Sequence, residues 1–214
     1  MMTIKQQMEK IYGVMEPAAI PWNVEAAPEI LKSAVTSRTA GPCKVIEFGC
    51  GAGNYVIALS RMGLDVTGVD IAENAIAIAG RSALRAGVTC RFVAADVLGE
   101  LPTITDTYDF GYDWELLHHI FPEDRERYVR NVCRLLNPNA THLSVCFSER
   151  DPQFGGVGKY RETPLGTVLY FSSEQEVESL FAKCFVVNEL KTIELAGKRG
   201  SHEAIYALLS KKSR

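Results

Sequence analysis

Four carboxylates, a glycine triplet and a pair of histidines hold most of the chemistry this chain can offer. Glu47 sits in the apolar run Val45-Ile46-Glu47-Phe48, and Gly49, Gly51 and Gly53 follow at alternate positions. A turn of that composition lets a ligand approach bare backbone, where successive N–H groups meet an anion. Asp70, Asp96 and Asp113 each follow a later apolar run. Together the four suit a nucleoside that carries a cation. Asp70 accepts from both ribose hydroxyls, and Asp96 accepts from an exocyclic adenine amine while Ile71 and Val97 sandwich the ring. Glu47 and Asp113 then pair an ammonium, and the turn (Gly49, Cys50, Gly51 and Asn54) meets a carboxylate. Plainer roles stand beside these: Glu47 anchoring the turn, Asp113 capping the next helix.

His118 and His119 are candidates for a proton acceptor, with Glu115 one turn before His119 on the same face if the stretch is helical. Two histidines and a glutamate also raise the question of a metal. Adjacent histidines diverge from a helix, so no metal site is expected.

These groups need a scaffold, and its pattern is regular. Strands at 44–48, 65–69, 90–94, 108–112 and 142–147 alternate with helical periodicity at 52–62, 73–86 and 122–136, and Gly63 and Gly87 close two of the helices. A leader precedes them: a helix over 3–15 with Thr3 and Gln6 as a capping box, breaks at Pro17 and Pro21, a second helix after Pro28, and an end at Gly41-Pro42. Ser173 and Glu176 cap a helix to Phe181, and strands at 185–195 and 203–209 follow with no helix between them. Alternating units of this kind predict an α/β, doubly wound parallel sheet in a single domain, with the last two strands antiparallel. Residues 1–42 form a helical cap, 43–148 the ligand-binding core, 149–171 a lid-like insertion, and 172–214 the final helix and strand pair.

The run Glu47-x-Gly49-x-Gly51-x-Gly53 resembles the first motif of class I S-adenosylmethionine-dependent methyltransferases. Val66-Thr67-Gly68-Val69-Asp70-Ile71 is similar to the family's second segment. Tyr108 to Asp113 with Leu116-Leu117-His118-His119-Ile120 is similar to its fourth-strand segment, and Arg134-Leu135-Leu136-Asn137-Pro138 to its R-x-L-K-P-G-G turn. These segments cover residues 45–147, about half the chain. The resemblance implies a Rossmann-like sheet of seven strands in the order 3-2-1-4-5-7-6 with the seventh antiparallel, S-adenosyl-L-methionine as cofactor, and methyl transfer. Asn139-Ala140 replaces the usual Gly-Gly; asparagine tolerates positive φ, so the turn is expected to survive.

Composition narrows the partners. The net charge is −3 and the one basic block is Lys211-Lys212-Ser213-Arg214, so nucleic acid is not expected as a partner. No run approaches the ~20 apolar residues of a membrane span, and the N-terminus lacks a signal-peptide pattern. The six scattered cysteines include no C-x-x-C, which suits reduced thiols in the cytoplasm.

The acceptor side is less legible. Pro21-Trp22-Asn23 resembles the P-W-D segment of thiol, thiopurine and halide methyltransferases, whose N-terminal extension covers the cofactor; Asn23 replaces the aspartate. That resemblance makes Trp22 a cap over cofactor or acceptor, against a plain role docking the leader. In the insertion, Gly155-Gly156-Val157-Gly158 is loose by composition, and Tyr160, Arg161 and Tyr170 supply polar and aromatic groups. Tyr160 joins His119 and Glu115 as a candidate catalytic residue. The expected activity is methyl transfer to a small molecule, with a tilt toward a thiol or other soft nucleophile, by a monomer or homodimer. A non-catalytic S-adenosylmethionine-binding protein is the alternative. A nicotinamide-dependent oxidoreductase is a weaker one, because it would place glycine where Asn54 stands and add a substrate domain.

Overall fold

In the computed structural model, residues 2–37 and 43–213 are described; the break at Gly41-Pro42 and the terminal Arg214 lie outside them. The elements run α1 (Ile4–Val14), α2 (Glu29–Thr36), β1 (Lys44–Phe48), α3 (Asn54–Ser60), β2 (Asp65–Asp70), α4 (Glu73–Ala86), β3 (Arg91–Ala94), β4 (Tyr108–Trp114), α5 (Pro122–Leu135), β5 (Leu136–Phe147), β6 (Tyr160–Glu162), β7 (Val168–Tyr170), α6 (Glu174–Phe181), β8 (Phe185–Gly197) and β9 (Gly200–Lys211). Seven strands form one sheet in the order β3-β2-β1-β4-β5-β9-β8, parallel up to β5 and antiparallel beyond it. This is the expected architecture; the insertion's own hairpin, β6 and β7, shifts the numbering of the last two strands.

Strand alternation divides the core between the two faces of the sheet. Ile46, Phe48, Ile205 and Leu209 pack with Tyr128, Val132 and Phe181 of α5 and α6. Val45, Tyr112, Val145 and Tyr206 pack instead with Leu31 of α2 and with Val56 and Leu59 of α3. Parallel strands buried on both faces explain why their sequences read as near-continuous apolar runs. The turn expected before the fifth strand is instead an irregularity inside β5: Asn139 takes φ 63° where the register against β4 shifts between the pairs Tyr108–Leu136 and Phe110–Thr141.

Both capping boxes form, Thr3 with Gln6 and Ser173 with Glu176. Helix α4 has no side-chain cap of its own. Glu9 of α1 supplies one, accepting the N–H groups of Glu73 at 2.6 Å and Asn74 at 3.1 Å. That contact pins the N-terminal helix across the carboxyl end of the sheet. Among the described residues no helix is long and apolar enough to cross a membrane, and all six cysteines are free.

Candidate active site

Ligands of open α/β sheets bind beyond the carboxyl ends of the strands. A cavity of about 910 Å³ lies there. Its floor is the turn after β1, its near wall α1 and residues 21–30, and its far wall the insertion and the β8–β9 hairpin.

The turn after β1 is held by β2. Val69 O accepts the N–H groups of Gly49 at 2.7 Å and Cys50 at 2.9 Å. Asp70 accepts Gly51 N–H through Oδ2 at 2.8 Å and Ala72 N–H through Oδ1 at 2.9 Å. Gly49 and Gly51 have φ of 76° and 51°; a Cβ would stand 2.8 Å from Leu116 Cδ1 at the first and 2.5 Å from Tyr12 Oη at the second. Glycine is required at both by conformation and by space. The expectation that the turn's N–H groups meet a ligand carboxylate needs correction at Gly49, Cys50 and Gly51. Their donors already have intramolecular acceptors, because β2 reaches far enough to take them.

Cofactor candidates Trp22, Glu47, Gly49, Cys50, Gly51, Asn54, Asp70, Ile71, Asp96 and Val97 all line the cavity. Trp22 Nε1 donates to Tyr12 Oη at 2.8 Å. Asn54 Nδ2 donates to Asn23 Oδ1 at 2.8 Å and to Val24 O at 3.0 Å, fastening the leader to the start of α3. Asp96 is exposed, and its Oδ1 accepts Leu98 N–H at 2.8 Å. Glu47 is buried, accepts a hydrogen bond from Tyr112 Oη at 2.9 Å, and is pushed by burial from 4.5 up to about 8. Burial also raises Asp70, against the hydrogen bonds from Ala72 and Gly51 that favour its ionised form.

Asp113 does not face this cavity. Strand β4 runs on to Trp114, so alternation turns Asp113 toward α5, opposite the face that carries Glu47. Its carboxylate accepts from Tyr128 Oη at 2.9 Å and Ser144 Oγ at 2.9 Å and contacts His142 Nε2 at 3.1 Å, with no exposed surface. The strand-end position belongs to Glu115, which lines the cavity. No helix joins it to His119. Glu115 has φ 62°, a conformation costly for a non-glycine residue, and only a 3-10 turn at Leu117–His119 follows. Burial pushes its carboxyl to about 7.

His118 and His119 both line the cavity. His118 stacks on Phe147 with centroids 4.2 Å apart, and His119 meets Trp22 edge-on at 6.4 Å. Burial lowers His119 to about 4 and His118 well below its ordinary value. Arg125 clamps this turn from α5, donating to Ile120 O at 2.8 Å, Leu117 O at 3.1 Å and Ser172 Oγ at 2.9 Å.

Tyr160 is a second correction. It lies outside the cavity, 55% exposed, against Phe121 and Tyr170, because β6 turns it away while its neighbour Arg161 is buried. Arg161 and Tyr170 are also committed elsewhere. Arg161 donates to the carbonyls of Glu149, Asp151, Gln153 and Gly158, and Tyr170 donates to Glu176. The insertion instead offers Gln153, Phe154, Thr163, Leu165 and Leu169 to the cavity.

Sequence reasoning missed Tyr12, Phe147, Phe154 and His202, all of which line the cavity. Tyr12 reads as one more apolar position on a helical stripe. The other three owe their place to how β5, the insertion and β9 meet, which no local spacing encodes.

Comparison with known proteins agrees with this geometry. Residues 45–139 match the family model described as a methyltransferase domain. The ubiquinone biosynthesis O-methyltransferase of Pectobacterium atrosepticum is 32% identical over 95 residues, 44% of this chain and 39% of that protein. The chain thus spans well under half the length of the curated relatives it matches. A solved structure concerned with conversion of a disulfide bond into a thioacetal group during echinomycin biosynthesis superposes with TM-score 0.80 at 19% identity, covering 98% of this chain and 93% of that one. The 1,6-didemethyltoxoflavin-N1-methyltransferase of Burkholderia thailandensis, solved with 1,6-didemethyltoxoflavin and S-adenosylhomocysteine, gives 0.66 at 20% identity, covering 98% and 80%. Sheet order and glycine turn accord with the methyltransferase-domain match over residues 45–139.

Proposed function

We propose that the chain binds S-adenosylmethionine along the carboxyl ends of β1, β2 and β4 and methylates a small, largely apolar acceptor held against the far wall. One observation carries this reading. Glu47, Asp70 and Glu115 face one cavity, and none of them has a cationic partner among the described residues. Buried carboxylates without a counter-charge are costly, and a ligand bearing sulfonium and ammonium charges supplies what they lack. Asp70 receives the ribose hydroxyls through lone pairs left over from its backbone contacts. Asp96 takes the adenine amine, with Ile71 and Val97 on the ring. Glu47 and Glu115 take the ammonium that Asp113 cannot reach.

Bound there, S-adenosylmethionine supplies an electrophilic methyl group. The chain's contribution is alignment and exclusion of water. Residues 2–37 of the N-terminal segment cap the cofactor end, 149–171 serve as the lid over the acceptor, and 172–213 close the sheet behind it. Phe147, Phe154, Leu165, Leu169 and Ile193 give the acceptor compartment an apolar lining, as suits a small organic molecule. The family match ends at residue 139, before this wall begins, so the relatives speak for the donor more than for the acceptor. Their O-methyltransferase names favour a hydroxyl. A thiol is the second reading, favoured by the Pro21-Trp22-Asn23 segment that places Trp22 in the wall. The protein acts in the cytoplasm as a monomer or homodimer.

The test is transfer of labelled methyl from S-adenosylmethionine to a panel of phenols, thiols and amines. Product from any one class supports the reading and identifies the acceptor. Saturable cofactor binding with no product from the panel supports a non-catalytic binding protein instead.

A further inference from the structure

The cavity wall holds an imidazole and carboxylate pair, His202 and Asp151, that the cofactor site does not use. Asp151 lies in the loop after β5, only 1% exposed, and its position is fixed from several sides. Its Oδ1 accepts Gln153 N–H at 2.7 Å, its Oδ2 accepts Glu203 N–H at 2.7 Å, and its carbonyl accepts from buried Arg161. The same Oδ2 lies 3.0 Å from His202 Nδ1. His202 stands near the start of β9, paired with Leu195 of β8, so two strands and a clamped loop hold the pair.

The ring is also oriented by stacking. Phe147 lies on it with centroids 4.4 Å apart and planes 21° apart, and Phe154 flanks it at 5.8 Å and 27°. A carboxylate at Nδ1 selects the tautomer with its proton on Nδ1, which leaves the lone pair on Nε2. Nε2 takes no hydrogen bond among the described residues, and His202 lines the cavity from β9, which β4 and β5 separate from β1 and its glycine turn. A nitrogen base oriented by a fixed carboxylate, at the edge of an apolar compartment, is the arrangement general-base chemistry requires.

We propose that His202 is the general base of the transfer, with Asp151 as its positioning residue, and that the acceptor is therefore a protonated hydroxyl or ring N–H group. This rests on the methyltransferase reading above. The acceptor's O–H or N–H bond breaks, its proton passes to Nε2, and its electron pair forms the new bond to the methyl carbon. The carbon–sulfur bond breaks with its electrons retained on sulfur, giving S-adenosylhomocysteine. Asp151 stabilises the imidazolium so formed. His118 and His119 have no such carboxylate: Nδ1 of each is buried with no hydrogen-bond partner.

Nitrogen-15 NMR of the His202 ring in the S-adenosylhomocysteine-loaded protein tests this, with Asp151→Asn for comparison. The expected result is the Nδ1–H tautomer with an unprotonated Nε2, lost in Asp151→Asn. An Nε2–H tautomer in the wild type overturns the proposal. Calorimetry on the same sample separates the two readings. If S-adenosylhomocysteine fails to bind, the methyltransferase reading falls; if it binds and the tautomer is wrong, only this inference falls. For acceptors that the panel turns over, His202→Gln slows protonated phenols by roughly 10²- to 10³-fold. It leaves pre-ionised acceptors such as 4-nitrophenolate nearly unchanged. Equal losses for both kinds of acceptor contradict a base.

Discussion

Tyr12 Oη accepts the indole N–H of Trp22 at 2.8 Å and stands over Gly51, where an added Cβ would fall 2.5 Å from it. The N-terminal helix therefore closes on the bare backbone of the glycine turn, and the two surfaces are fitted to each other. Gly51→Ala should abolish S-adenosylhomocysteine binding and cost about 2 kcal/mol or more, through both its φ of 51° and this contact. Tyr12→Phe should cost about 1 kcal/mol by stranding the indole N–H. In the Tyr12→Phe background part of the Gly51→Ala penalty should disappear, because the clashing oxygen is gone. Denaturant melts of the four proteins in this double-mutant cycle check the coupling.

Proton release should accompany cofactor binding. Burial holds Glu47 at about 8 and Glu115 at about 7, against 4.5 for an ordinary glutamate. In the unfolded chain both ionise near the ordinary value, so at neutral pH the folded protein binds more protons than the unfolded one. Stability should fall as pH rises from about 4.5 to about 8 on account of these two groups. A cationic ligand beside them favours the ionised forms and expels protons. Calorimetry at pH 7 in buffers of different ionisation enthalpy should report net release on S-adenosylmethionine binding, diminished in Glu47→Gln. Net uptake would contradict the assignment.

Asp113 should matter for folding and not for the cofactor. Asp113→Ala strips Tyr128, Ser144 and His142 of a shared buried partner, which should cost about 3 kcal/mol or more. Where the variant remains folded, its affinity for S-adenosylhomocysteine should be unchanged. A selective loss of affinity at wild-type stability would return Asp113 to the cofactor site.

The parts legible in the sequence share a physical cause. The glycine turn, Asp70 and the βα alternation are encoded within a few residues, by φ, by apolar periodicity and by caps such as Ser173 with Glu176. Asp113 and Glu115 are harder to assign, because two further residues of strand beyond Tyr112 decide which side chain reaches the strand end. Tyr160 failed for the same reason, since alternation across β6 buries Arg161 and exposes its neighbour. His202 and Asp151 are distant in sequence, and only the pairing of β9 with β5 and the Arg161 clamp bring them together.

The most direct measurement is a calorimetric titration of the wild type and Asp70→Asn with S-adenosylmethionine, S-adenosylhomocysteine and NADH. The wild type should bind the first two saturably at one site and ignore NADH. Asp70→Asn, folded by its melt, should bind both at least roughly tenfold more weakly, as the loss of a charged hydrogen-bond acceptor implies. Binding of NADH with no response to either sulfur compound would contradict the account from the glycine turn onward.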